Sequence, residues 1–269
     1  MPDAMTQHVV QAETVSQGWA LAFSRVHEAA GGEVRPLLLR VTGENAGPAM
    51  GDAIREAVDQ ALRQGGRADT QTVANTIFPD RLWDPAQPRE RLYERFERIH
   101  PVVRRCHANR KGTYFQRMIG FEWDRDCSVP GAVNQLEQVI KSLSRRGAIR
   151  REHQVCVFDP RRDLPIRREP AFPCLQQLAF QPVGNDRLAM SAFYATQYML
   201  EKAYGNYLGL WRLGQFVAHE TKRRMWELDC FVGVAMLGHT KAELSGLAAR
   251  VRSIANDAVG PAAPASCTL

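Results

Sequence analysis

The sequence lacks the features of a membrane or secreted protein. It contains no run of about eighteen apolar residues, so we expect no transmembrane helix. Residues 1–17 hold no basic segment followed by an apolar one, so we expect no signal peptide. These absences favour a cytoplasmic protein with no membrane partner.

Cysteine is scarce and scattered. The six cysteines form no Cys-x-x-Cys pair and no zinc-finger spacing, so neither a disulfide framework nor a metal site is expected. They lie at positions 106, 127, 156, 174, 230 and 267. Reduced thiols in a cytoplasmic compartment fit this pattern.

Few aromatic residues accompany the basic runs, although the net charge is +6. Arginine clusters at 145–151, 161–168 and 223–224. Such clusters bind nucleic-acid phosphates, grip the phosphate of a single nucleotide, or form solvated surface, the commonest outcome for any one cluster. Because aromatics are few among them, nucleic-acid binding ranks last.

The rest of the composition is that of an ordinary globular protein. A chain of 269 residues with 45% hydrophobic and 24% charged residues can bury a large core. We expect one domain over 17–258, between a flexible start (1–16) and a flexible tail (259–269). Apolar periodicity predicts helices over 16–29, 49–64, 70–77, 89–99, 133–143, 209–221 and 243–255. Strands are predicted over 35–42, 172–180 and 188–194.

The stretch that begins at Pro173-Cys174 offers a nucleophile. Cys174 leads into a predicted strand, and the proline ahead of it fixes the backbone and removes one competing donor. The alternative is that Cys174 is a small buried apolar residue, which is the usual place of a free cysteine.

Several short motifs, taken in order, resemble the thymidylate synthase and pyrimidine hydroxymethylase superfamily. The similarity covers residues 109–241, about half of the chain. The motifs are Arg150-Arg151, the strand Val155 to Asp159, Pro173-Cys174, Tyr204-Gly205-Asn206 and Gly238-His239. Each is weak alone, but their order and spacing together are moderately specific.

The resemblance implies roles for five residues. Cys174 is the expected nucleophile, Asn206 the reader of the pyrimidine ring, and His239 a contact to the sugar. A lone histidine in such a place is equally often structural. Arg110 and Arg151 are expected to bind an anionic group, the latter across a dimer interface. The loop 110–113 is equally well explained as a basic turn that leads into a strand.

Three positions depart from the family pattern. Ala195 stands in place of a phosphate-binding arginine, which removes bonds of roughly 1.5–3 kcal/mol each. Tyr198 replaces the acid that contacts folate, and Lys241 replaces a tyrosine near the sugar. The resemblance implies 5,10-methylenetetrahydrofolate as cofactor, and Tyr198 puts its use in question.

These observations predict an α+β fold, a thymidylate synthase-like mixed β-sheet flanked by helices, with a homodimer formed through the sheet face. The predicted function is methyl or hydroxymethyl transfer, through Cys174, onto a pyrimidine nucleotide or related ring. Two alternatives stay open: a protein of this fold that binds a nucleotide or partner without turnover, and a Cys174 nucleophile with a different acceptor.

Overall fold

The computed structural model describes residues 8–44, 46–47, 52–106, 109, 112–122, 132–145, 147, 149–164 and 173–258. Within them the chain forms a mixed α/β architecture with a seven-stranded sheet. The main sheet contains β1 (Val9–Ala12), β2 (Glu33–Val34), β3 (Leu37–Thr42), β6 (Gln154–Cys156), β7 (Leu175–Val183), β8 (Arg187–Tyr198) and β9 (Arg224–Met236). A small separate sheet pairs β4 (Phe121–Glu122) with β5 (Ala132–Val133).

The strand order of the main sheet is β1-β3-β9-β8-β7-β6, and β2 pairs with β9. The pairs β1 with β3 and β8 with β9 are parallel, and the other pairs are antiparallel. Parallel neighbours need a long crossover between them. For β8 and β9 this crossover is a helix, and its position decides where the candidate site lies.

Nine helices occur in the described part of the chain. They are α1 (Val15–Glu28), α2 (Ala53–Gln64), α3 (Thr70–Asn75), α4 (Glu90–Val103), α5 (Tyr114–Ile119), α6 (Gln135–Ser144), α7 (Pro160–Asp163), α8 (Tyr204–Glu220) and α9 (Lys241–Ala258). Each helix predicted from periodicity is present, with ends that differ by a few residues. None of the described helices is long and apolar enough to cross a bilayer.

The mixed sheet with flanking helices is confirmed, but the expectation of a loose N-terminal segment is wrong for residues 9–12. They form β1, in parallel register with β3, so that Val9 faces Leu38 and Val10 faces Leu39. The residues on both sides of this four-residue strand are polar, so hydrophobic periodicity does not indicate it. The strand is stabilised by its pairing with β3. The predicted flexible residues 1–7 and 259–269 lie outside the described residues.

The two faces of the sheet differ sharply. In β3, Leu37, Leu39 and Val41 are fully buried beneath the helices, while Leu38 is 37% exposed. Leu38 pairs with Phe231 in β9, and Phe231 pairs with Phe193 in β8, so the exposed row continues across these strands. We call the side that bears this row the open face.

Helix α8 lies unusually close to α3 because glycines form the contact. A Cβ at Gly205 would lie 2.5 Å from the Val73 Cβ, and one at Gly209 would lie 2.7 Å from the Ala74 carbonyl oxygen. No larger residue fits such an approach. The contact therefore fixes the rotation of α8 about its axis, and with it the direction of Asn206.

Candidate active site

Three of the predicted site residues lie toward the same edge of the sheet. Strands β8 and β9 run parallel, so their carboxyl ends lie together, and Asn206 and His239 follow those ends closely. Cys174 lies at the same edge, because β7 is antiparallel to β8 and its first residue pairs with Tyr194. Ligands of open α/β sheets commonly bind outside the carboxyl ends of parallel strands.

The burial pattern changes phase in both β8 and β9 beside Cys174. Burial alternates along β8 as far as Tyr194 and resumes one residue out of phase at Gln197, and β9 changes phase between Val232 and Ala235. Tyr194 pairs with Val232 and Gln197 with Ala235, so the two phase changes lie side by side. The register of β7 with β8 shifts at this level, between Leu175 and Gln177. Irregular pairing of this kind redirects side chains and is common next to active sites.

The Cys174 thiol lies between a hydroxyl and a phenol. Its Sγ is 3.5 Å from Oγ1 of Thr196, and the residue is half-buried. The Tyr114 phenol is close to the backbone at Leu175 and Cys174, whose amides favour its ionised form. Burial raises the pKa of Tyr114, and the nearby Cys174 raises it further, so the phenol keeps its proton at neutral pH.

Behind Cys174 the wall is polar. The Tyr207 hydroxyl donates to Oε1 of Gln197 over 2.8 Å. The Tyr194 hydroxyl and the Gln197 amide nitrogen are buried and have no hydrogen-bond partner among the described residues. Burial raises the pKa of both Tyr194 and Tyr207. Unpartnered buried groups cost about 1–3 kcal/mol each, and they are uncommon outside functional or hydrated sites.

Asn206 is 4% exposed in the first turn of α8. Successive helical residues rotate by about 100° around the axis. Gly205 and Gly209 face α3, and Tyr207 reaches the sheet through Gln197, so Asn206 lies between these two faces. Asn206 is adjacent in sequence to Tyr207, which contacts Gln197, and its predicted role as ring reader stays a prediction.

His239 is held in a charged cluster. Its Nε2 lies 3.3 Å from Oε1 of Glu201, and its Nδ1 lies 3.9 Å from Oε2 of Glu243. The preceding Gly238 has φ +79°, and a Cβ there would lie 2.8 Å from the Tyr198 ring. Lys241 instead donates to the Glu28 carbonyl oxygen over 3.3 Å, so its side chain is directed toward the end of α1.

Of the two predicted anion-binding arginines, the structure describes Arg151, and it lies away from this edge. Arg110 lies outside the described residues. Arg151 is exposed in a 3₁₀ turn before β6. His153, two residues later, accepts from the Phe180 amide, which is six residues along β7 from Cys174, so Arg151 lies on the order of 20 Å from Cys174 in its own chain.

The loop before α5 is only partly described. Gly112 has φ +100°, and Thr113 caps α5 by accepting from the Gln116 amide. The segment that follows the loop is a helix, so the alternative of a turn into a strand is wrong. A cavity of about 260 Å³ between α3 and α4 reaches Thr113, next to Tyr114.

Sequence reasoning missed Tyr114, Tyr194, Gln197 and Glu201. Tyr114 directly follows the loop 110–113, and the threonine that ends this loop is a common helix N-cap, which could have indicated a helix that begins at Tyr114. Glu201 follows Tyr198 by three residues, so it was a candidate replacement for the missing acid. Tyr194 and Gln197 gave no signal, because only the change of burial phase in β8 turns both inward.

The described residues contain no cluster of His, Cys, Asp and Glu suited to a metal ion. No protein-family model matches the chain, and no curated protein matches it. The similarity to the thymidylate synthase superfamily therefore rests on the motifs themselves.

Proposed function

We propose that this chain is a thymidylate synthase-like transferase that adds a one-carbon group, methyl or hydroxymethyl, to a pyrimidine nucleotide or related ring. The observation that carries the proposal is the place of Cys174. Its half-buried thiol lies at the edge where two parallel strands end, 3.5 Å from a hydroxyl and close to the partly buried phenol of Tyr114.

The chemistry follows from the thiol. A thiolate adds to carbon 6 of the pyrimidine, and the electrons of the 5,6 double bond move toward the carbonyl oxygen as an enolate. Carbon 5 then attacks an electrophilic one-carbon group. A methyl donor releases its leaving group with the bonding electrons, whereas an aldehyde donor moves its π electrons to oxygen, which takes up a proton and leaves a hydroxymethyl group. Loss of the carbon 5 proton and expulsion of the thiolate then restore the double bond. The Thr196 hydroxyl is placed to donate to the thiolate.

Ring recognition is assigned to Asn206, because an amide offers a donor and an acceptor together. The Gln197 amide nitrogen and the Tyr194 hydroxyl make the adjoining wall polar. His239 contacts the sugar, and Arg110 and Arg151 bind an anionic group. Because Arg151 is far from Cys174 in its own chain, it serves the site of a second copy.

The second copy docks on the open face. An apolar row crosses four neighbouring strands there, through Val9, Leu38, Phe231 and Phe193. Phe193 and Phe231 stack with ring centroids 5.3 Å apart. Contiguous exposed apolar surface on a sheet favours association, and two copies of one face form a closed pair.

The residues in the described site do not fit reduced folate. Tyr198, at the position of the folate-contacting acid, is 45% exposed and has no carboxylate. The nearest acid along the chain, Glu201, faces Arg67 and His239. The proposal therefore specifies an electrophilic one-carbon donor and assigns no step to folate.

A donor-free exchange assay tests the proposal. Thiolate addition alone lets carbon 5 of the ring exchange its hydrogen with solvent, so in D₂O the carbon 6 proton signal of dUMP, UMP, dCMP or CMP changes from a doublet to a singlet. We expect exchange of at least one nucleotide by the wild-type protein and none by Cys174→Ser. The matched control, Cys156→Ser, alters an exposed cysteine in β6 and should exchange normally.

Exchange by Cys174→Ser at the wild-type rate would exclude Cys174 as the nucleophile. Failure of the wild-type protein to exchange any of the four nucleotides would contradict the proposal for these substrates.

One observation favours binding without turnover as a second candidate. Arg117, whose charge acts on Tyr114, is itself paired with the buried carboxylate of Asp163, so it offers little activation to a thiolate. Thermal stabilisation of the protein by a nucleotide, without carbon 5 exchange, is the result expected of that candidate.

A further inference from the structure

We propose that Glu201 is a positioning residue that fixes the tautomer of His239, so that Nε2 carries the proton and Nδ1 accepts a hydrogen bond from a ligand hydroxyl. The inference deepens the proposed function and rests on it for the identity of that ligand. Its first test needs no ligand.

The ring of His239 has an inner and an outer nitrogen. Nε2 is buried, and its nearest charged neighbour is Oε1 of Glu201, at 3.3 Å. The two atoms are close but not aligned as a hydrogen bond. Such bonds are often loose in ligand-free sites and tighten in the complex. A small rotation of the imidazole is enough to complete this one.

Glu201 has a second charged neighbour, Arg67. Nε of Arg67, in the loop after α2, lies 3.2 Å from the same Oε1. The carboxylate is thus pinned between a guanidinium and the imidazole. A carboxylate accepts only, so the ring nitrogen facing it must carry the proton.

The backbone presents Glu201 in an unusual way. It lies in a π-helical turn, Met199–Ala203, between the end of β8 and the start of α8. Such turns are rare and frequently occur at functional sites. Here the turn places an acid at the strand ends, three residues after Tyr198.

The consequence concerns what His239 can bind. When the imidazole is neutral and its proton is on Nε2, the outer nitrogen Nδ1 can act only as a hydrogen-bond acceptor. Its charged neighbour is Glu243, whose side chain is 62% exposed and 3.9 Å away. Nδ1 therefore selects a donor, such as a hydroxyl, and disfavours a phosphate oxygen.

The first test is the ¹⁵N spectrum of the ligand-free protein at about pH 8.5, where an ordinary imidazole is neutral. Long-range proton–nitrogen correlation should show His239 with Nε2 protonated and Nδ1 unprotonated. Glu201→Leu, which removes the acceptor, should abolish this preference, and Arg67→Gln should weaken it. The matched control Glu243→Leu should leave it unchanged. A protonated Nδ1 in the wild type, or an unaltered tautomer in Glu201→Leu, overturns the inference.

The second test uses two nucleotides, dUMP and 2′,3′-dideoxyuridine monophosphate. Glu201→Leu should weaken dUMP binding by about tenfold, the effect of one lost hydrogen bond. It should leave the dideoxy compound, which lacks the sugar hydroxyl, unaffected. Equal losses for both ligands indicate a general structural role and contradict the inference. If neither compound binds the wild type, the proposed function fails for these nucleotides, while the tautomer measurement still decides the role of Glu201.

Discussion

The two faces of the sheet are built from the same strands, but one face is buried under helices and the other is partly exposed. On the covered face, Leu39 is fully buried and its side chain packs against Gly18 of α1. On the open face, Leu38 is 37% exposed beside Phe231. One step along the chain thus separates a core residue from a surface residue. The difference shows that composition alone does not separate core from interface in this protein.

The polar groups on the two faces also differ, because those on the open face are paired and several on the covered side are not. On the open face Arg40 forms two hydrogen bonds of 2.7 Å to the Asp229 carboxylate. On the covered side, the Tyr194 hydroxyl and the Gln197 amide nitrogen have no partner among the described residues. The open face is therefore apolar but electrostatically satisfied, which suits docking, whereas the covered side keeps polar groups near the candidate site.

The largest expected effect distinguishes the two leucines. Leu39→Ala should lower the free energy of unfolding by about 2–5 kcal/mol, because it leaves a cavity under α1. Leu38→Ala, the matched change one residue away, should cost less than about 1 kcal/mol at low protein concentration. Urea denaturation of both variants measures the difference. Equal costs would mean that the open face is covered within a single chain.

The next effect concerns association through the open face. Phe231→Asp should raise the dimer dissociation constant at least about tenfold, since it places a charge in the apolar row. Sedimentation velocity should show the species shift from twice the chain mass toward 30.2 kDa. Leu21→Asp, at a leucine of α1 with 42% exposure, is the control and should not change association. A wild type that stays monomeric at every concentration rules out the dimer.

The smallest effect is a pH dependence from the covered side. Burial lowers the pKa of His153, so the unfolded chain binds a proton more readily than the folded one. The contribution of His153 to stability is therefore complete above about pH 6.5 and is lost as pH falls through the lower folded value. The difference in unfolding free energy between about pH 7.5 and about pH 5.5 should shrink in His153→Leu.

His219→Gln, which removes a half-exposed histidine at the end of α8, should leave this pH dependence close to that of the wild type. An unchanged pH profile in His153→Leu would show that His153 is hydrated in the native state.

The helices could be predicted from the sequence because their patterns are local. In α6, Leu136, Val139, Ile140 and Leu143 recur at helical spacing and are all buried. The strand β1 could not be predicted in this way, because its four residues have no clear alternation and depend on β3 for pairing. The order of strands was equally out of reach, since pairing joins residues more than one hundred positions apart.

The candidate site likewise contains residues that the sequence indicated and residues that only the structure revealed. Cys174, Asn206 and His239 carry a recognisable order along the chain, and they lie at one edge of the sheet. Their supporting groups have no such order. Tyr114 reaches the Cys174 backbone from a different helix, and Glu201 approaches His239 only because a π-helical turn follows β8.

The sequence by itself predicted seven of the nine described helices, all except α5 and α7, and the two long strands after Cys174. Local spacing is enough for these, and the order of the motifs indicated the residues proposed as nucleophile and ring reader. Only the tertiary structure decided which residues surround the thiol, which face of the sheet stays open and which nitrogen of His239 faces a carboxylate. These depend on strand register and on the phase change shared by β8 and β9, which arise when distant segments pack together.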